Sequence, residues 1–186
     1  MKNFIPVCEP YLNGNELKYV QEAVTSNWIS SQGKFIEKFE KEFANFCGVQ
    51  YASGVCNGTV ALHLALVALD IGPGDEVIIP NFTMISTALC VCYTGAIPVF
   101  VDADPKTWNI DVEKIEEKIT DKTKAILAVH IFGNPCDMNA INEIAQKYDL
   151  RIVEDAAEAH GAEYRGVKTG ALSDIAAFSF YANKNL

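Results

Sequence analysis

The chain has 186 residues, 49% hydrophobic and 21% charged, the balance of a globular protein with a sizeable core rather than of a disordered segment. Its formal net charge of -9 argues against nucleic acid as a partner, because phosphate backbones need a basic footprint, but leaves room for a local anion site built from backbone N–H groups. No apolar run reaches the length of a membrane span, residues 1–6 carry no sustained apolar signal core, and six scattered cysteines (Cys8, Cys47, Cys56, Cys90, Cys92 and Cys136) lack Cys-x-x-Cys pairing or nearby histidines. A cytoplasmic protein with reduced, buried thiols, no metal and no membrane contact is expected.

Residues 4–34 combine an extended, proline-containing start with one helical pattern, in which Asn13 suits a cap and Leu17, Val20 and Val24 recur at helical spacing. A polar loop follows, with Trp28 as its aromatic anchor. Phe35, Phe39, Phe43 and Phe46 then predict a helix that buries an aromatic face in the core. Residues 51–59 read as a short strand running into a Gly-containing turn, and 60–66 as an apolar helix with His63 packed inside it. A strand, a small-residue turn and a helix N-terminus make an anion site, since free N–H groups and the helix dipole both favour phosphate. Asn57 or Thr59 serve equally well as ordinary caps.

Gly72-Pro73-Gly74-Asp75 is a turn and 76–80 a buried strand. A helix opens over 81–87 and is ended by Gly95. Residues 99–101 form the next strand, closing at Asp102 and Asp104, and a helix is expected over 112–119. The strand at 125–129 ends at His130, and the helix at 137–148 lines Met138, Ile141, Ile144 and Ala145 along one side. The stretch 151–161 begins as an apolar strand, Ile152 and Val153, then turns acidic at Glu154 and Asp155. A last strand over 175–180 leads into Tyr181-Ala182-Asn183-Lys184.

Regular alternation of short β-branched strands and helices predicts an α/β fold, with a mostly parallel sheet and helices on both faces. No repeat or linker interrupts it, so residues 1–186 read as one continuous domain. The possible site residues cluster after strand ends: Gly58 and Thr59, Phe82 to Met84, His130, Asp155 and Glu158, Ser179 and Lys184. In open α/β sheets, ligands bind at the carboxyl ends of strands. Singly, each has an ordinary reading, an acidic solvated turn for Asp155 and a surface lysine for Lys184. Jointly they meet the needs of pyridoxal phosphate (PLP). Lys184 supplies an amine for a Schiff base and Asp155 a carboxylate for the pyridine nitrogen. The N–H groups of Gly58 and Thr59, with the Ser179 hydroxyl, supply donors for the phosphate. Glu154 is read as structural. A dinucleotide fold is disfavoured by the missing Gly-x-Gly-x-x-Gly.

Five ordered motifs carry a resemblance: Trp28-Ile29-Ser30-Ser31-Gln32-Gly33, Asn57-Gly58-Thr59, Pro80-Asn81-Phe82-Thr83, Glu154-Asp155-Ala156-Ala157-Glu158-Ala159-His160-Gly161 and Phe178-Ser179-Phe180-Tyr181-Ala182-Asn183-Lys184. From Ile5 to Leu186 the chain resembles the DegT/DnrJ/EryC1/StrS family of sugar aminotransferases. The resemblance implies the type I, aspartate-aminotransferase-like fold of PLP-dependent transferases. This chain would be its N-terminal segment plus most of the PLP-binding large domain, without the C-terminal small domain. It implies that Lys184 is the Schiff-base lysine and proton shuttle and that Asp155 pairs with the pyridine nitrogen. Glu158 would face the ring hydroxyl, where many members carry Gln, and share a proton with it. Met84 stands where an aromatic residue commonly stacks on the ring, and its thioether would pack there instead.

The implied reaction passes an amino group from a donor such as glutamate to a nucleotide-linked keto sugar, for glycan or surface polysaccharide synthesis. The chain looks most like the perosamine-type members, which aminate C4 of GDP-4-keto-6-deoxymannose. Family members are homodimers whose sites borrow residues from the partner. A UDP- or dTDP-linked keto sugar, or a truncated module without catalysis, are the alternatives. Lysine at 184 argues against the related 3-dehydratases, which carry histidine there.

Overall fold

Short, apolar, β-branched runs set the architecture of the computed structural model, which describes residues 9–184. The strands are β1 (Glu76–Pro80), β2 (Ile97–Val101), β3 (Thr123–Val129), β4 (Arg151–Asp155), a small hairpin of β5 (Glu163–Tyr164) and β6 (Val167–Lys168), and β7 (Ile175–Ala177). Five of them form one sheet in the order β2-β1-β3-β4-β7, every pair parallel. The helices are α1 (Glu16–Thr25), α2 (Lys34–Cys47), α3 (Gly58–Ala68), α4 (Ile85–Thr94) and α5 (Met138–Tyr148).

Strand alternation sorts the side chains between two cores. Val77, Ile79, Leu127 and Val153 join Leu62 and Leu66 of α3 and Cys90 and Val91 of α4. Their neighbours Ile78, Ile126, Ala128 and Ile152 join Met138, Ile141 and Ile144 of α5 on the other face. Both faces of the sheet are therefore covered, which is why its strands carry continuous apolar runs instead of alternation. The chain leaves β1 through α4 to β2 on one side, then crosses to β3 on the other. The strand order thus reverses between β1 and β3, and their carboxyl ends open a crevice at this switch point.

Local chemistry sets the helix ends. The Asn57 side chain accepts the Val60 N–H at 2.9 Å to start α3, and Asp137 accepts that of Ala140 at 3.3 Å to start α5. Gly48 and Gly95 end α2 and α4 in the left-handed region, with φ of 79° and 84°.

Several expectations need correction. Residues 51–55 form no strand: a strand needs a neighbour for its ladder as well as apolar composition, and this segment pairs with none among the described residues. The helix expected over 112–119 is two 3-10 turns, Val112–Lys114 and Glu116–Lys118. The last strand stops at Ala177, and the β5–β6 hairpin was not foreseen. α4 starts at Ile85, leaving Thr83 and Met84 ahead of it to line the crevice.

The aromatic face of α2 is only half-buried, with Phe39 and Phe46 37% and 44% exposed. Its rings pack on Phe178 and Phe180 beyond β7. α1 starts after Asn15, not Asn13, and buries none of its residues. Cys47, Cys90 and Cys136 are buried, Cys56 and Cys92 are exposed, and none of these forms a disulfide. Cys8 and the extended start at 4–8 lie outside the described residues. No helix among the described residues is long and apolar enough to cross a membrane.

Leu127 is fully buried between the α3 and α4 layer and the centre of the sheet. Leu127→Ala should cost about 2–5 kcal/mol of unfolding free energy by denaturant titration. Lys124→Ala, on the exposed start of the same strand, should change it by less than about 0.5 kcal/mol.

Candidate active site

The crevice is built from the segments that follow β1, β3, β4 and β7 together with the N-terminus of α3. A cavity of about 270 Å³ there is lined by Gly58, Thr59, Met84, Asp155, Glu158, Ser179 and Lys184, but not by Phe82, which packs on Trp108 and Phe132. Thr83 and His130 line it too. A larger, mostly apolar cavity of about 560 Å³ lies beside it, against Phe39, Phe43, Phe178 and Phe180 of the α2 side. The ionisable groups converge in the smaller one, so chemistry and not size marks the site.

At the start of α3, the N–H groups of Gly58 and Thr59 fall in the first turn, where no carbonyl of the helix reaches them. The positive end of the helix dipole adds to them. Ser179 sits against this turn: a Cβ on Gly58 would lie 3.0 Å from the Ser179 Cβ and 3.3 Å from its Oγ. Glycine at 58 is what lets that hydroxyl approach the helix N-terminus.

β4 ends in two carboxylates that point to opposite faces. Asp155 faces α4. Its Oδ2 accepts the Thr87 hydroxyl at 2.9 Å and its Oδ1 the Ala157 N–H at 3.2 Å, while Thr83 and Thr87 join their hydroxyls at 2.8 Å. Burial pushes the Asp155 carboxyl above its ordinary range, opposed by the bonds from Thr87 and Ala157 and by the nearby Lys184 ammonium.

Glu154 faces the α5 side and is fully buried. It accepts from His130 Nε2 at 2.9 Å, Gly170 N–H at 2.8 Å, and Leu172 N–H and Ser173 Oγ at 2.9 Å each. His130 Nδ1 accepts the Cys136 N–H at 3.1 Å, which leaves the proton on Nε2, aimed at Glu154. Burial works against the Glu154 charge, but these donors prevail and hold its carboxyl below the ordinary range. Its role is structural, as read from sequence: it ties the ends of β3 and β4 to the loop that feeds β7.

Lys184 donates to Glu158 Oε1 at 3.0 Å, and the Phe132 N–H donates to Glu158 Oε2 at 3.1 Å. Phe132 achieves this with φ of 50°, a left-handed conformation unusual for an aromatic residue. The Lys184 side chain is only 12% exposed, so it is not the surface lysine of the ordinary reading. Met84 borders the cavity at the head of α4, 59% exposed. His160, for all its place in the acidic motif, does not line the cavity but lies against the rings of Phe178 and Phe180.

Sequence reasoning placed Thr83 in the Phe82 to Met84 cluster without a role, and missed Thr87 and the N–H groups of Ala157 and Phe132. The two threonines carried one available signal, their i, i+4 spacing in the segment leaving β1.

The arrangement therefore presents an amine, a buried carboxylate and an anion cradle around one cavity, on a doubly covered parallel sheet. The DegT/DnrJ/EryC1/StrS aminotransferase family model matches residues 10–186, and the chain belongs to that family. The GDP-perosamine synthase of Caulobacter vibrioides is 56% identical over 180 residues, which are 97% of this chain and 48% of that protein. A dTDP-3-amino-3,6-dideoxy-alpha-D-galactopyranose transaminase of Aneurinibacillus thermoaerophilus is 49% identical over 173 residues, 91% of this chain and 47% of that protein. Among solved structures, the sugar aminotransferase Spr1654 of Streptococcus pneumoniae in its PLP form superposes with a TM-score of 0.94 at 31% identity, over 99% of this chain and 50% of that one. The fold is thus that of the PLP-dependent sugar aminotransferases, and the chain spans about half the length of the relatives it matches.

The two carboxylates of β4 pull stability in opposite directions with pH. Glu154 has a folded pKa below its ordinary 4.5, so its stabilisation is present above that value and lost as pH falls through the folded one. Asp155 has a folded pKa above its ordinary 3.8, so the fold is penalised as pH rises from there through the raised value. In denaturation of the cofactor-free protein between about pH 3 and 8, Glu154→Gln should flatten the acid-side loss. Asp155→Asn should remove the decline on the alkaline side.

Proposed function

We propose that the intact protein is a PLP-dependent aminotransferase, and that residues 1–186 are its N-terminal segment and most of its cofactor-binding large domain. The observation that carries this reading is the Lys184 amine held at 3.0 Å from Glu158 in the cavity that Asp155 also lines. The residues fit the cofactor by their own chemistry. A buried carboxylate suits a pyridine nitrogen that carries a proton, and the cradle of Gly58, Thr59 and Ser179 suits a phosphate. When bound, PLP supplies an aldehyde for an amine to condense with and a protonated ring that draws electrons from the reacting carbon.

The chain's own residues do the rest. Asp155, shielded from water, would hold a proton on the ring nitrogen. The Gly58 and Thr59 N–H groups and the Ser179 hydroxyl would anchor the phosphate, and Met84 would pack on the ring. Lys184 would hold the cofactor through its amine and carry a proton at the substrate carbon. Glu158, which accepts from the Lys184 amine, would face the ring hydroxyl and share a proton with it. Its second oxygen is held by the Phe132 N–H, so the carboxylate cannot swing away from the lysine.

The substrate we propose is a GDP-linked 4-keto-6-deoxy sugar, aminated at C4 at the expense of glutamate. Support comes from the 56% identity with a GDP-perosamine synthase across 97% of the chain. Such an enzyme would work as a homodimer in the cytoplasm and serve polysaccharide synthesis. A dTDP-linked keto sugar is the second reading, favoured by the 49% identical transaminase.

The full protein should show a visible absorbance band with PLP that glutamate bleaches. Lys184→Ala should abolish the band, and a persisting band would refute the role given to that lysine. In a panel of GDP-, dTDP- and UDP-linked keto sugars, kcat/KM should be highest for the GDP-linked 4-keto sugar, and a preference for a dTDP-linked one would install the second reading.

A further inference from the structure

The Asp155 carboxylate is not held by the cavity alone. Behind it, α4 presents Thr87, fully buried, and Thr83 stands at the cavity wall with its hydroxyl 2.8 Å from that of Thr87. A hydroxyl has one proton to give and two lone pairs to receive. While Asp155 is ionised it can only accept, so Thr87 must donate to Oδ2 at 2.9 Å. Thr87 then has only acceptor capacity left, and Thr83 must donate to it. If Asp155 took up a proton, the direction of both bonds could reverse. The chain Thr83–Thr87–Asp155 is therefore polarised one way by the charged carboxylate, and each bond strengthens the next in a buried site. On the other oxygen, the Ala157 N–H at 3.2 Å adds a second donor.

From this geometry we infer that Thr87, relayed by Thr83, is a positioning residue that keeps Asp155 an acceptor toward the ring nitrogen of the cofactor. The inference rests on the proposed PLP reading. It assigns a task to two hydroxyls, one at the cavity wall and one buried behind it. A donor bonded to an ionised group is worth more than one between neutral groups, so its removal is felt directly in the pairing of Asp155 with a ring N–H. Burial already disfavours the charged carboxylate, and the Thr87 hydroxyl is the first of the groups that oppose it, ahead of the Ala157 N–H.

The test uses the full protein, freed of cofactor, and two probes: PLP and its analogue with carbon in place of the ring nitrogen. Thr87→Val keeps the shape and deletes the donor. It should weaken PLP binding roughly tenfold while leaving the analogue's dissociation constant within about twofold of the unaltered protein. Thr87→Ser returns the donor and should restore PLP binding to within about threefold. Thr83→Val, at the half-buried end of the relay, should weaken PLP in the same direction by a smaller factor. The double Val variant should bind PLP no more weakly than Thr87→Val, because the outer bond acts only through the inner one.

Equal loss for both probes, or a serine variant as poor as the valine variant, would reduce Thr87 to a packing residue and overturn the inference. Should Thr87→Val fail to fold, the Thr83→Val and Thr87→Ser measurements decide it: unchanged selectivity for PLP over the analogue in Thr83→Val overturns it. If the unaltered protein forms no visible band with PLP, the functional reading falls and this inference with it. If the band forms but Thr87→Val leaves PLP affinity intact, only the inference falls.

Discussion

The cost of burying two adjacent carboxylates at the end of β4 organises this molecule. Glu154 and Asp155 both lie out of water, where a charge without partners is expensive. Strand alternation sends them to opposite faces, so each must be satisfied by different elements. Glu154 is met by four donors drawn from β3's end and the loop before β7. Asp155 is met by two, from α4 and the turn after β4, and burial still pushes its pKa upward. One carboxylate is spent on holding the frame. The other lines the cavity with one donor on each of its oxygens.

That division explains how distant segments come to share a cavity. Glu154 pins the loop over Gly170, Leu172 and Ser173, which leads directly into β7 and on to Ser179 and Lys184. β7 pairs with β4 in register from Val153 to Asp155, so the chain that leaves it emerges beside the acidic end. Lys184 then reaches Glu158, and Glu158 reaches back to the Phe132 backbone after β3. The result is a ring of supports around the crevice at the reversal of strand order, each resting on a different strand end.

Polar residues in this protein are arranged by what they must not leave unpaired. His130 illustrates the point. One ring nitrogen accepts a backbone N–H and the other donates to Glu154, so the imidazole is used up in holding two loops together although it borders the site. The apolar layers on both faces supply the dry surroundings that give these few hydrogen bonds their weight.

Much of this was legible in the residues themselves. The periodicity of apolar runs marked β1, β4, α3 and α5 and implied a covered parallel sheet. The order of small, acidic and basic residues after strand ends picked out Gly58, Thr59, Met84, Asp155, Glu158, Ser179 and Lys184, which share one cavity. What escaped was whatever depends on a partner far along the chain. Residues 51–55 have a strand's composition but no neighbour to pair with among the described residues, and the phenylalanines of α2 have a helix's spacing but are half covered. Thr87 lies 68 positions from the carboxylate it serves, and the donors to Glu154 lie 16 to 24 positions away. Local pattern reports which residues suit an element and which chemistry a motif contains. Which buried carboxylate became structural and which was left facing the cavity was decided by tertiary packing, because only the folded chain determines how many donors each can find.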